Sequence, residues 1–210
     1  MNPIKRTAHI AGLIYLTVVV SGIFSLLYVP SQLIVCGNPS TTFNNIVANE
    51  LLFRLGILAG VICYIAFLFL PIILCKLLSP VGKKYAVAMI ALAVVSVPIS
   101  LVNLSQKYSV LTLISKAEYL NVIQPDQLQA QVMLHLDYYN NGIDLVSVFW
   151  GLWLFPFGYL VFKSRFLPKI LGFFLSSFVS LPASIGEIGT CLWLLIVGAK
   201  IKSNVHQINR

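Results

Sequence analysis

Charged residues are scarce in this sequence, since Asp, Glu, Lys and Arg make up only 10% of its 210 residues and only six are acidic. A soluble domain carries about 25% charged residues, so this chain could not cover a folded core with water-compatible side chains. Hydrophobic residues account for 59% of it. The composition therefore excludes an ordinary soluble domain and favours a lipid bilayer as the solvent.

Patterns that bind metals or form disulfides are also lacking. The four cysteines form no CxxC pair, so neither a disulfide framework nor a zinc knuckle is indicated. His135 and Asp137 are close in sequence, but one histidine among scattered carboxylates falls short of the three or four ligands of a zinc site. We predict no metal, no other cofactor and no enzymatic activity.

Positive charge is present, with a formal net charge of +8, but it occurs in small clusters between apolar runs. A nucleic-acid-binding protein gathers such residues on one face, so we predict no nucleic-acid partner. Lys and Arg at the ends of membrane spans fix the orientation of a membrane protein. Their expected partners are anionic lipid headgroups.

The apolar runs predict an all-α polytopic transmembrane bundle in one domain, residues 1–210, because no linker divides the chain. Crossing a bilayer as a helix takes about 20 residues. Four full spans and two short segments are predicted at 10–29, 52–75, 85–104, 143–162, 168–181 and 183–199. Pro98 predicts a kink in the third span, and the polar residues of 30–49 predict a loop.

The orientation follows from the positions of Lys and Arg. All but three of the fourteen lie in the N-terminus, in 76–84, in 163–169 or in the C-terminal tail. Positive loops stay in the cytoplasm, so both termini are predicted to be cytoplasmic. Lys107 and Lys116 are assigned to outer loops, and Arg54 lies near the outer edge.

The final apolar stretch, 168–199, is too long for one ordinary span and too short for two. Pro182 divides it, and an even number of crossings requires the chain to leave and return. We predict a short helical hairpin or a re-entrant hairpin that turns at residues 181–184. The alternative is one long crossing, which would put the basic tail outside.

Residues 126–139 show apolar side chains at helical spacing, with glutamines and His135 on the opposite face. This pattern predicts an amphipathic helix that either lies on the outer surface or extends the fourth span. The sequence Asn140-Asn141-Gly142 then predicts a turn, with Asp144 in the first turn of the next helix, where a carboxylate is favourable.

Several polar residues are predicted to reach the outer rim together and could line an outward-facing vestibule. They are Glu50, Arg54, Asn103, Gln106, Asp137 and Asp144. The simpler interpretation is that they are ordinary interface residues at helix ends. For Arg54 it is an ion pair with Glu50, four residues earlier on one helix.

Glu187 differs because it lies about 20 Å along a helix from Lys200, in the outer half of the membrane core. A carboxylate at that depth requires a partner or a water cavity, and Arg54 is the nearest counter-ion by depth. Alternatively, Ser184 and Glu187 have the spacing of a capping box at the start of the last helix.

Gly56 and Gly60 form a GxxxG pattern in the second span. Small residues at this spacing allow two helices to approach closely. The pattern serves packing within the bundle and a homodimer equally well, so it leaves a homo-oligomer or another membrane partner open.

Four runs of sequence resemble a family of bacterial membrane proteins grouped as domain of unknown function 4386. They are HIAGLIYLTVVVSGIFSLLYVPSQLIV at 9–35, NELLFRLGIL at 49–58, VFWGLWLFPFGYLVFKSRFLPKILG at 148–172 and GEIGTCLWLLIVGAK at 186–200. The resemblance implies a multi-pass protein of the bacterial inner membrane, usually with six helices and no assigned activity. Compared with members of the family, the region from about residue 174 to 182 looks shortened.

The function expected from sequence is therefore structural or accessory, exerted through partner helices in the membrane. The alternative is a small transporter or ligand-binding bundle whose outward vestibule reaches Glu187. An intramembrane enzyme would require Ser, His and carboxylate groups to converge in one cavity.

Overall fold

The computed structural model describes residues 3–115, 117–164 and 180–196, with side chains for 4–115, 117–164 and 188–196. In these residues the chain is almost entirely helical and contains no strand. The elements are α1 (Pro3–Ile23), a π-helical turn (Phe24–Tyr28), α2 (Val29–Leu33), α3 (Pro39–Ala48), α4 (Glu50–Ile114), a 3-10 turn (Glu118–Val122), α5 (Pro125–Lys163) and α6 (Ser180–Ile196). The predicted all-α class is confirmed for this part of the chain.

Three helical stretches among the described residues are long and apolar enough to cross a membrane: Ile4–Leu33, Glu50–Ile114 and Pro125–Lys163. They keep large hydrophobic side chains on the surface, for example Leu13 and Val102. A soluble monomer rarely exposes apolar surface in long continuous stretches. Length, apolarity and exposed hydrophobic side chains together are typical of a membrane protein.

Helix α4 contains both the second and the third predicted span. The predicted loop at 76–84 is wrong, because the backbone stays helical up to a single break at Gly82 (φ −174°, ψ 89°). Gly60 and Leu104, equally far from this break, are in van der Waals contact, so the two arms of α4 (residues 50–81 and 83–114) run antiparallel. All of α4 is described. Every residue in it except Gly82 has helical backbone torsions, and this includes Pro98.

The helical path of α1 continues through Pro30 to Leu33, beyond the predicted end of the first span at residue 29. A proline ring inside a regular α-helix clashes with the carbonyl four residues earlier. Here a π-helical turn precedes it, with the Val29 amide donating to the Phe24 carbonyl five residues back. The wider turn is a known form of insertion in helices, and it lets the helix accommodate the proline.

The predicted loop at 30–49 is wrong for much of its length, because it contains α3. Asn38 ends the true connection and caps this helix, its side chain accepting a hydrogen bond of 3.0 Å from the Thr41 amide. Asn is among the preferred N-cap residues, and Pro39 fits the first turn, where its missing N–H is not needed.

Helix α5 joins the predicted amphipathic helix at 126–139 to the predicted fourth span at 143–162. The rigid extension is therefore the alternative that the structure shows, and the predicted turn at 140–142 is wrong. Asp144 lies in the middle of this helix instead of its first turn. The packing of Gly142 against α4 outweighs the local turn propensity of residues 140–142.

Helix α6 begins at Ser180 and contains Pro182 in its first turn, where proline is tolerated. Residues 181–184, the predicted turn of the final hairpin, are thus helical. Ser184 lies inside the helix and not at its N-cap, so the capping-box alternative is wrong. The fifth predicted segment, 168–181, lies almost wholly outside the described residues.

The chain divides into two compact units. In the unit made of Met1–Leu16, Phe69–Ala93 and Gly151–Arg210, the aromatic rings of Trp153 and Phe157 pack with centroids 4.8 Å apart. Gly12 of α1 lies directly against the backbone of Leu194 and Leu195 in α6. His9 reinforces this contact, its Nδ1 lying 3.0 Å from the Leu195 carbonyl.

The other unit comprises Thr17–Leu68 and Val94–Trp150. Its core is a cluster of buried apolar side chains from α2 to α5, including Leu33, Ile46, Leu104 and Leu136. This unit holds the polar residues considered next.

Candidate functional site

Lys107 is unusual among the described residues, because it is a lysine with only 3% of its surface exposed. Its predicted place in an outer loop is wrong: it lies in the second arm of α4, between the buried Leu104 and Val110. Transferring an ammonium group out of water is costly unless it is paired or hydrogen-bonded. Its surroundings must therefore supply compensating interactions.

Two groups compensate the Lys107 ammonium. It donates a long hydrogen bond of 3.4 Å to the backbone carbonyl of Ser25, and it lies over the ring of Tyr139, 4.1 Å from the centroid. The second contact is a cation–π interaction, which contributes about 0.5 to 2 kcal/mol depending on desolvation. Among the described residues, no acidic side chain lies within ion-pair distance of Lys107.

The Ser25 carbonyl is available to Lys107 for a local reason. In a regular helix it would accept from the Val29 amide, but the π-helical turn directs that amide to Phe24 instead. The next amide along the helix would be that of Pro30, which has no N–H. Two features of the chain thus leave one carbonyl of the helix without its usual donor, and the lysine occupies that position.

Three buried hydroxyl groups belong to residues linked to this contact: those of Ser25, of Tyr139, and of Tyr64, which interacts with Tyr139; the three residues are at most 3% exposed. Within the described part of the chain none of the three has a hydrogen-bond partner of good geometry. The Tyr64 and Tyr139 side chains nevertheless lie close enough to interact with each other, both electrostatically and through a hydrogen bond of poorer geometry between their hydroxyls. Buried polar groups are normally hydrogen-bonded, so three such groups near a buried cation call for an explanation. We refer to Ser25, Tyr64, Lys107 and Tyr139 as the lysine site.

Lys107 belongs to a polar face of α4 that meets α5. The Asn103 amide donates a 2.8 Å hydrogen bond to the Tyr139 carbonyl, and the Gln106 Oε1 lies 2.8 Å from Nδ1 of His135. The three residues of α4 occupy positions i, i+3 and i+4, which share one face of a helix. This face fixes Tyr139 from two sides, through its carbonyl and through its ring.

Gly142 makes the approach of α4 to α5 possible. A Cβ atom at this position would overlap the side-chain amide of Asn103. Glycine is required here for close approach and not for its backbone freedom, since the residue is helical.

The predicted vestibule residues fall into separate contacts. Glu50 and Arg54 form an exposed ion pair at 2.6 Å, as the simpler interpretation predicts. Asn103 contacts α5, whereas Asp137 and Asp144 are exposed on the surface of α5. The side chain of Glu187 lies outside the described residues, although its backbone belongs to α6.

Gly56 and Gly60 pack inside their own unit. Gly56 lies against Val29, and Gly60 lies against the Ser25 Oγ and Leu104. The GxxxG pattern therefore brings the first arm of α4 onto the helix that carries Ser25, and it helps to build the lysine site.

No group of three or more His, Cys, Asp or Glu side chains with metal-binding geometry occurs among the described residues. His135, weighed as a possible ligand in the sequence, instead contacts Gln106 and the edge of the Tyr138 ring. The free cysteines Cys63 and Cys191 are buried and pack against the carbonyls of Val18 and Gly12.

The family described as Domain of unknown function (DUF4386) matches residues 10–177. The chain belongs to this family. Its description assigns no molecular function, in agreement with the expectation from sequence. The matched range includes all four residues of the lysine site. No curated protein and no solved structure matches the chain.

The sequence pattern places Lys107 in an outer loop and therefore does not predict the lysine site. Two signals were available. Asn103, Gln106 and Lys107 have the spacing of one helix face, and Tyr139 and Gly142 lie on one face of the next helix. What the sequence could not show is that Pro30 and the preceding turn free a carbonyl opposite that lysine.

Proposed function

We propose that this protein is a multi-pass protein of the bacterial cytoplasmic membrane with both termini in the cytoplasm. Four full spans would be provided by α1 with α2, by the two arms of α4, and by α5, followed by the final segments. The contacts within each unit support helices that alternate in direction along the chain. Gly56 and Gly60 meet the α1 path in antiparallel order, and α5 meets the second arm of α4 likewise.

The contact between α1 and α6 also supports a shared compartment for the two termini. His9 and Gly12 meet Leu195, while the Gly12 carbonyl meets Cys191 earlier in α6. The end of α6 thus lies beside the beginning of α1, which follows the basic residues Lys5 and Arg6. Lys83, Lys84 and Lys163 fall at the corresponding ends of the other helices, where positive charge is expected.

The orientation is tested by cysteine labelling in intact cells. A cysteine-free background with single cysteines at positions 180, 184 and 202 is treated with a membrane-impermeant maleimide. We expect position 202 to be protected until the cells are permeabilised. Labelling of position 202 from the periplasm would refute the cytoplasmic placement of the C-terminus.

For the molecular role, we propose a ligand-binding or transport bundle whose site is the lysine site, and not an enzyme. The observation that carries this proposal is a buried cation for which the described residues supply no carboxylate. Ionisable residues inside membrane helices mark binding or transport sites by default. The π-helical turn that carries Ser25 agrees, since such turns within helices are frequent at functional sites.

A nucleophilic enzyme is the less favoured role for the same residues. A serine nucleophile requires a base within hydrogen-bonding distance of its hydroxyl. In the described structure the Lys107 ammonium contacts the Ser25 carbonyl and makes no hydrogen bond to the Ser25 hydroxyl.

The ligand-binding role is tested by thermal unfolding of the full-length protein in detergent against a panel of small anions, cations and neutral solutes. A ligand of the lysine site should stabilise the wild type and not Lys107→Met, because ligands raise the midpoint by binding the folded state. Lys163→Met is the matched control: this exposed lysine also lies over a tyrosine ring, that of Tyr159. A panel in which every solute acts equally on all three proteins would refute the role.

A structural or accessory role is the second candidate, and the close helix contacts at Gly12 and Gly56 favour it. In that case the proposed partners are the lipid bilayer, anionic headgroups at cytoplasmic Lys and Arg, and another membrane protein or a second copy. Lys107→Met would then be neutral or stabilising, since replacing a buried charge by an apolar side chain often is, and association with the partner would persist.

A further inference from the structure

The groups of the lysine site share one property: each of them can donate a hydrogen bond. An ammonium has three donors and no acceptor, and Lys107 uses one of them on the Ser25 carbonyl. The hydroxyls of Ser25, Tyr64 and Tyr139 each bring an O–H group, and within the described residues none of them makes a hydrogen bond of good geometry, although the Tyr64 and Tyr139 side chains lie close enough to interact. The ligand that complements this set accepts hydrogen bonds and carries negative charge.

The charge of the site limits the charge of the ligand. One buried ammonium balances one negative charge, and a doubly charged ion would keep an uncompensated charge out of water, which is costly. The surrounding side chains are apolar and closely packed, among them the buried Leu104 and Val110. A small ion fits among these side chains better than a large organic anion.

Each hydroxyl lies on a different supporting element. The π-helical turn carries Ser25, and Gly60 leaves room for its Oγ. The first arm of α4 carries Tyr64, whose ring also packs against Trp150 with centroids 6.3 Å apart. Tyr139 is held by Asn103 through its carbonyl. Donors fixed in this way need little reorganisation when an anion arrives.

We infer that Ser25, Tyr64, Lys107 and Tyr139 bind one small monovalent anion, such as a halide or a simple carboxylate. This inference rests on the proposed ligand-binding role and names the class of ligand. The charge of the ammonium distinguishes it from a purely hydrated polar pocket, because water would satisfy the hydroxyls but leave the charge unbalanced.

The test uses purified full-length protein in a zwitterionic detergent, with sodium gluconate replaced stepwise by sodium chloride at constant ionic strength. The readouts are the thermal midpoint and the ³⁵Cl NMR linewidth, which broadens when chloride binds. Acetate and bromide are run as further monovalent anions, and sulfate as a divalent one. We expect a saturable rise of the midpoint with chloride for the wild type and for Lys163→Met.

Lys107→Met is expected to abolish the chloride response. Tyr139→Phe keeps the ring beneath the ammonium and removes only a hydroxyl. This variant therefore tests the site if Lys107→Met does not fold. Hydrogen bonds to charged groups are strong enough that this variant should weaken chloride binding about tenfold or more. Sulfate should raise the midpoint no more for the wild type than for Lys107→Met.

The outcomes separate the two proposals. A chloride response of equal size in the wild type, Lys107→Met and Tyr139→Phe overturns the anion site. If a neutral or cationic solute stabilises the protein in a way that depends on Lys107, and anions have no effect, the ligand is not an anion. That result overturns the inference about the ligand and leaves the ligand-binding role intact. Absence of any solute that acts through Lys107 overturns both.

Discussion

Replacing Gly142 by alanine is expected to destabilise the protein, although alanine is the better helix former. The new Cβ would overlap the Asn103 side-chain amide, which must then leave its 2.8 Å hydrogen bond to the Tyr139 carbonyl. Overpacking costs about 1 to 3 kcal/mol, and loss of the hydrogen bond about 1 kcal/mol. Helix propensity returns about 1 kcal/mol, so the net loss is about 2 kcal/mol.

The same substitution should change sign once Asn103 is shortened. In an Asn103→Ala background the overlap and the hydrogen bond are both gone, and Gly142→Ala should then stabilise by up to about 1 kcal/mol. The free energy of unfolding of the four proteins, measured in mixed micelles, gives a coupling energy of about 2 to 3 kcal/mol from a double-mutant cycle.

Gly151→Ala is the matched control on the same helix, because nothing lies within 4 Å of the place its Cβ would occupy. It should be neutral or stabilising in both backgrounds. A stabilising Gly142→Ala in the wild-type background, or equal effects with and without Asn103, would refute the packing of α4 against α5 described here.

Three further predictions concern other contacts. Gly12→Ala should destabilise by about 1 to 3 kcal/mol, because its Cβ meets the Leu195 backbone; an unchanged unfolding midpoint would contradict that contact. Glu50→Gln and Arg54→Gln should each cost no more than about 0.5 kcal/mol in the same unfolding assay, since the pair is exposed; a larger loss would assign the pair a role beyond a surface ion pair. Pro30→Ala should restore a backbone donor near the freed carbonyl and weaken the chloride response, and an unaltered response in the NMR titration would argue against that origin of the site.

Much of the architecture was predictable from hydrophobicity, because long apolar runs in a chain with few charges have few alternatives to membrane helices. Loops were predicted less well. At 76–84 a cluster of lysines predicts a loop, yet the backbone leaves the helical conformation at Gly82 alone. At 140–142 two asparagines and a glycine suggested a turn, yet the helix continues, since Gly142 serves a close contact with Asn103 and not a bend.

Composition and the spacing of apolar residues were enough to predict a helical membrane-type chain and to offer the Glu50–Arg54 pair as one alternative, because each depends on neighbours along one segment. The lysine site could be recognised only after folding. It joins a carbonyl freed by Pro30, a lysine in another helix and two tyrosines from separate segments, and no local pattern encodes the distance between them. Burial decides its chemistry, and whether a side chain is buried depends on which helices pack together.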